Sequence, residues 1–219
     1  MVNLQVQQNP EAYFMKQTFF IWINTLLLCF AFLTAHATGD PKAGENKSLV
    51  CSACHGPQGI SANPEWPHLA GQHAPYLTKQ LHDFKEGKSR SAVTMSPMVA
   101  NLSDQDMEDL AAYYAAKPRP ATTDSQTDFK RGETIYRHGD TNKKITACIA
   151  CHGPDGKGNA QAGFPMICNQ QSNYTILQLH GFKSGERHND LNSIMHDITG
   201  RMDDEDIKAI AEYLTSMGK

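Results

Sequence analysis

Two short runs carry the residues best suited to redox chemistry: Cys51, Cys54 and His55 in CSACH, and Cys148, Cys151 and His152 in CIACH. The C-x-x-C-H pattern is that of c-type haem attachment. Cysteines at i and i+3 of one helical turn can each form a thioether to a haem vinyl group. The histidine that follows then reaches the iron from the proximal side. A redox disulfide is the competing chemistry, but that motif belongs in a βαβ setting, which the sequence lacks. Half of a zinc site is another reading; it needs further paired ligands, and Cys168 stands alone. Two covalently bound haem c groups are therefore expected.

The elements that must position these residues occur twice. The two motifs lie 97 positions apart, and PHLAGQ at 67–72 matches PMICNQ at 165–170 with a spacing of 98. Tyr76, Gln80, Leu81, His82, Phe84, Lys85 and Gly87 recur 98 residues on as Tyr174, Gln178, Leu179, His180, Phe182, Lys183 and Gly185. The last segment, from Asp104 to Tyr113, matches Asp204 to Tyr213 with a spacing of 100. This is a tandem duplication.

Each copy reads as helical. Met107, Leu110, Ala111 and Tyr114 fall on one helical face, as do Ile207, Ile210, Ala211 and Leu214. Ser103 and Asp203 are N-cap candidates, with Asp106 and Asp206 three residues on. Leu77, Gln80, Leu81 and Phe84 form a second stripe that Gly87 would end, mirrored by Thr175, Gln178, Leu179, Phe182 and Gly185. No strand alternation is evident, so the fold class is all-α. The expected domains are 38–118 and 128–219, with a proline-containing linker at 119–127.

The sixth iron ligand follows from the repeat. In the spacing of 100, Met95 superposes on Met195, Met98 on Ile198 and Leu102 on Met202. Only Met95 and Met195 recur as a pair in this region, and a thioether opposite imidazole favours ferrous iron. Core-filling methionines are the bland alternative, and Met98 is the fallback ligand in the first copy. His82 and His180 also recur, but mid-helix, where a solvated position is expected. His68 matches Met166 and is no repeated ligand type; His73, His138, His188 and His196 have no repeated partner and are expected at the surface.

The apolar run at 21–33 follows Lys16 and precedes Ala35, His36 and Ala37, an A-x-A cleavage pattern. Residues 15–37 read as a signal peptide, shorter in its apolar core than the roughly 20 residues that span a bilayer. Residues 1–14 have no such character, which makes Met15 a candidate start. Cys29 falls inside the signal, so the exported chain would start near Thr38. Its net charge stays −3, because residues 1–37 hold one lysine and one glutamate. That charge excludes a strongly basic nucleic-acid binder and predicts little electrostatic steering.

With VCSACHG at 50–56, LAGQ at 69–72, NLSDQDM at 101–107, CHGPDG at 151–156 and DDEDIKAIAEYL at 203–214, the chain resembles the di-haem cytochromes c4. The resemblance implies two tandem class I cytochrome c domains and a periplasmic electron carrier, soluble or loosely held at the membrane. It implies a quinol-oxidising complex or dehydrogenase as donor and a terminal haem–copper oxidase as acceptor. It also implies that Pro67 and Pro165 offer their carbonyls to the ligand imidazoles, a contact that fixes ring orientation and basicity. Two departures stand out: Cys168 where the first copy has Ala70, read as a small core residue, and an inserted DTNKK at 140–144, read as a surface loop that could offer Lys143 and Lys144 to a partner.

Irons held by histidine and methionine leave no position open to substrate. An electron-transfer protein, not an enzyme, is expected. An electron-accepting subunit of a dehydrogenase complex is the alternative, and a di-haem peroxidase a more distant one.

Overall fold

The computed structural model describes residues 39–120 and 129–217; the expected signal segment and linker residues 121–127 lie outside them. The described residues form ten α-helices, one 3₁₀ turn and no strand, with isolated bridges at Asp140–Ile145 and Asn159–Phe164. In the first half these are α1 (Pro41–Lys47), α2 (Leu49–His55), α3 (Ala74–Glu86), α4 (Met95–Val99) and α5 (Asp104–Ala115). The second half repeats them as α6 (Lys130–His138), α7 (Ile149–His152), α8 (Ser172–Ser184), α9 (Ile194–Thr199) and α10 (Asp204–Ser216).

Local chemistry sets the boundaries. Asp40 caps α1 by accepting the Lys42 amide at 2.8 Å, and Pro41 takes the first turn, where no amide partner is needed. Full capping boxes, Ser103 with Asp106 and Asp203 with Asp206, start α5 and α10. Gly87 and Gly185 end α3 and α8 in the left-handed conformation, at φ 67° and 82°.

The same three pairings build both halves: the first helix crosses the last, the third packs on the last, and the third also touches the methionine helix. The first crossing is very close. A Cβ on Gly44 would sit 2.0 Å from the Asp109 carbonyl oxygen, and one on Gly132 would sit 2.2 Å from that of Ala209. Around the crossings lie two apolar cores. One contains Leu77, Leu110, Ala111, Tyr113 and Tyr114; the other Ile135, Tyr136, Ile207, Ile210 and Leu214. Cys168 belongs to the second core at 3% exposure.

Matched contacts recur inside each half, and others join the two. Gly71 donates to Tyr114 O at 2.9 Å, and its counterpart Asn169 donates to Leu214 O at 2.7 Å. Arg119 spans both halves, donating to the Ala70 carbonyl at 3.1 Å and to the carbonyl of its counterpart, Cys168. His73, expected at the surface, is half-buried and donates from Nε2 to Lys157 O across the junction at 2.8 Å. The inserted loop lies at the surface as expected, with Lys143 and Lys144 exposed. Lys143 binds Asp206 at 2.6 Å and pairs with Asp203, so its ammonium serves the fold of its own half.

Candidate cofactor-binding sites

The attachment motifs occupy short helices. Cys51, Cys54 and His55 lie on α2; Cys151 and His152 lie on α7, with Cys148 as its N-cap. None of the five described cysteines is paired in a disulfide. Burial pushes the Cys51 thiol up and the Cys148 thiol up to about 11. No three His, Cys, Asp or Glu side chains among the described residues are grouped to hold a metal ion by themselves.

His55 and His152 are both buried, which pushes each imidazole below its ordinary value and keeps it neutral. His55 Nδ1 donates to the Pro67 carbonyl at 3.0 Å, and His152 Nδ1 to that of Pro165 at 2.9 Å. With Nδ1 engaged as donor, Nε2 is the nitrogen left with a lone pair for a metal. Gly56 and Gly153 follow at φ 77° and 75°, a conformation that ends each helix directly after its histidine.

Met95 opens α4 and is half-buried, whereas Met98 is 49% exposed. Met195 lies in the first turn of α9, where its amide donates to Asp190 Oδ2 at 2.7 Å and its carbonyl accepts from Thr199 Oγ1 at 2.7 Å. Met202, the counterpart of Leu102, is part of the second core. His82 and His180 lie part-exposed on α3 and α8.

The sequence reading missed a polar cluster between the halves. Arg90 and Arg187 are 6% and 8% exposed. Arg90 donates to Tyr174 Oη at 2.9 Å and Gln178 at 3.1 Å, and also to Gln80. Arg187 donates to Tyr76 Oη at 3.0 Å, Gln80 at 3.2 Å and Gln178 at 2.8 Å. Each guanidinium also covers a phenylalanine of its own half, Phe84 or Phe182. Two buried cations here share neutral oxygens; among the described residues neither makes a direct ion pair, although the Asp83 carboxylate lies near enough to act on Arg90. Such charge is costly unless an anion meets it. The carboxylates of a haem have the required charge, so this donor set, the paired thiols and the oriented imidazoles all fit that group. A signal was present in the sequence: Tyr76, Gln80 and their counterparts are polar residues repeated on helices that need an apolar face.

Two such sites on an all-helical chain define a di-haem protein of the c type. The family model "Cytochrome c" matches residues 46–115 and again 129–218. Cytochrome c4 of Azotobacter vinelandii is 43% identical over 204 residues, spanning 88% of this chain and 97% of that protein. The structure of reduced cytochrome c4 from Pseudomonas stutzeri superposes with a TM-score of 0.79 at 39% identity, covering 82% of this chain and all of the other. A thiosulfate dehydrogenase electron acceptor from Stutzerimonas stutzeri is 37% identical over 176 residues, or 78% of this chain and 81% of that protein. The chain belongs to the cytochrome c family and, within it, to the di-haem cytochromes c4. Its fold is two cytochrome c domains, and its cofactors are two covalently bound haem c groups.

Proposed function

We propose that the protein is a periplasmic electron carrier whose domains, 38–118 and 128–219, are joined by a linker at 119–127 and exported by a signal at 15–37. Cys51, Cys54, Cys148 and Cys151 bear the thioethers. His55 and Met95 hold one iron, and His152 and Met195 the other. When bound, the haems supply one-electron chemistry at iron. The chain buries the ligand imidazoles, fixes them through the Pro67 and Pro165 carbonyls, and offers the Arg90–Arg187 pair to carboxylates. These residues bind and orient; none is placed to act on a substrate. The observation that carries the reading is the recurrence, in each half, of a buried, Nδ1-bonded histidine and a short helix with a methionine in its first turn.

The pathway in view runs from a quinol-oxidising complex or dehydrogenase to a terminal haem–copper oxidase. Likeness to a thiosulfate dehydrogenase electron acceptor favours one second reading, service as the accepting subunit of a dehydrogenase. Co-purification with a dehydrogenase from its host would select that reading.

The deciding experiment is carbon monoxide titration of the fully reduced protein, read in the visible spectrum. Six-coordinate irons leave the spectrum unchanged, and Met95→Ala and Met195→Ala each open one haem to the gas. Carbon monoxide binding by the unmodified protein would overturn the carrier reading and point to an open catalytic or sensing site.

A further inference from the structure

Two glutamines reach across the junction to the same point in opposite halves. Gln72 Oε1 accepts the Met166 amide at 3.0 Å, while its Nε2 donates to the Met166 carbonyl at 2.7 Å. Gln170 treats His68 in the same way: Oε1 accepts its amide at 2.8 Å and Nε2 donates to its carbonyl at 2.9 Å. Both glutamines are buried, at 5% and 8% exposure. Their targets are equivalent positions of the repeat, each directly after the proline that meets a histidine.

That adjacency has a chemical meaning. The Met166 N–H and the Pro165 carbonyl belong to one planar peptide unit. The carbonyl accepts from His152 Nδ1 at 2.9 Å, and the N–H donates to Gln72. In the other half, one peptide unit likewise joins His55, through Pro67 O, to Gln170, through His68 N. Holding the N–H fixes the plane and therefore the direction of the carbonyl. Hydrogen bonding at the N–H also polarises the amide and strengthens its oxygen as an acceptor. A stronger acceptor draws the imidazole proton, makes the opposite ring nitrogen more basic and favours ferric iron.

We infer that Gln72 and Gln170 are positioning residues that act crosswise, each setting the orientation and basicity of the iron-ligating histidine in the other domain. The inference rests on the ligand assignment of His55 and His152 above. Gln72 has a contact of its own domain too, since Oε1 accepts the His73 amide at 3.0 Å at the start of α3. Gln170 does the same for Gln171 at 2.9 Å. A merely structural role would act through these contacts, or would loosen the junction as a whole.

The test uses the holoprotein with Gln72→Leu, Gln170→Leu and Gln72→Glu. Two quantities are read for each haem: its midpoint potential and the hydrogen exchange of its histidine Nδ1–H. Magnetic resonance assigns the signals through each haem's own cysteine thioethers. Gln72→Leu is expected to raise the potential of the His152 haem and speed exchange at His152, leaving His55 close to its original values. Gln170→Leu is expected to do the reverse. Gln72→Glu keeps an acceptor for the Met166 amide and should return the His152 haem to or below its original potential. Changes in the variant's own domain, equal changes in both, or none would overturn the inference. Failure of the ligand assignment has a separate sign: the histidine Nδ1–H signals of the unmodified protein would then lack haem-induced shifts. Should Gln72→Leu not fold, the Gln170→Leu and Gln72→Glu arms still decide.

Discussion

At the scale of single residues, charge placement around the capping boxes gives the protein a defined acid response. Asp106, held by Ser103 and then by Lys47, titrates at about 2, and Asp203, held chiefly by Lys143, also titrates at about 2, against an ordinary 3.8. A carboxyl whose folded value lies below its unfolded value stabilises the fold above the unfolded value. The contribution drains away as pH falls from 3.8 towards 2. Both groups face water, so screening keeps the effect modest. Denaturant unfolding at a series of pH values from about 5 to 2 should show stability falling through this window. Asp106→Asn and Asp203→Asn should each flatten that slope, and an unchanged slope would remove these carboxylates from the acid response. The candidate attachment residues were legible at this scale because C-x-x-C-H names its chemistry in five adjacent positions. Arg90 and Arg187 were not. Their spacing of 97 falls in a stretch whose flanking repeats are spaced 98 and 100, so a fixed register passes over them. Their meaning also depends on burial between the halves.

At the scale of elements, the repeated helices were readable because caps, stops and apolar faces are all local. The Ser103 and Asp203 caps, the Gly87 and Gly185 stops and the buried face of Met107, Leu110, Ala111 and Tyr114 stand where the pattern placed them. The close crossing of first and last helices was not readable, since Gly44 and Gly132 show their purpose only against a carbonyl some 65 to 80 residues away. Neither has space for a methyl group, and backbone atoms cannot step aside as a side chain can. Gly44→Ala and Gly132→Ala should each destabilise their domain by about 3 kcal/mol, the upper range for overpacking. Chemical denaturation followed by circular dichroism would measure it. A loss below about 0.5 kcal/mol would show that the helices separate at little cost.

At the scale of the whole molecule, Arg119 donates to carbonyls of both halves at matched positions, Ala70 and Cys168. Replacing it with alanine removes the donor to both oxygens, while the Pro120 carbonyl stays bonded to Asn169 Nδ2. Arg119→Ala should therefore speed hydrogen exchange at the amides of Gly71 and Asn169, which bond to Tyr114 and Leu214 beneath it. Exchange in the middle of α5 and α10 should stay as it was; unaltered rates at Gly71 and Asn169 would deny the arginine its bracing role. The glutamine bridges have a different kind of consequence. Contacts related by a two-fold axis are those of a homodimer, in which any substitution is made twice and both faces must tolerate it. Here the two faces are encoded separately within one chain. Position 68 is histidine while its twin is Met166, and Ala70 is twinned with Cys168. Fusion thus releases an isologous design from its own symmetry, letting two sites built on one plan acquire unequal affinities for the electron, and so a direction in which it prefers to move.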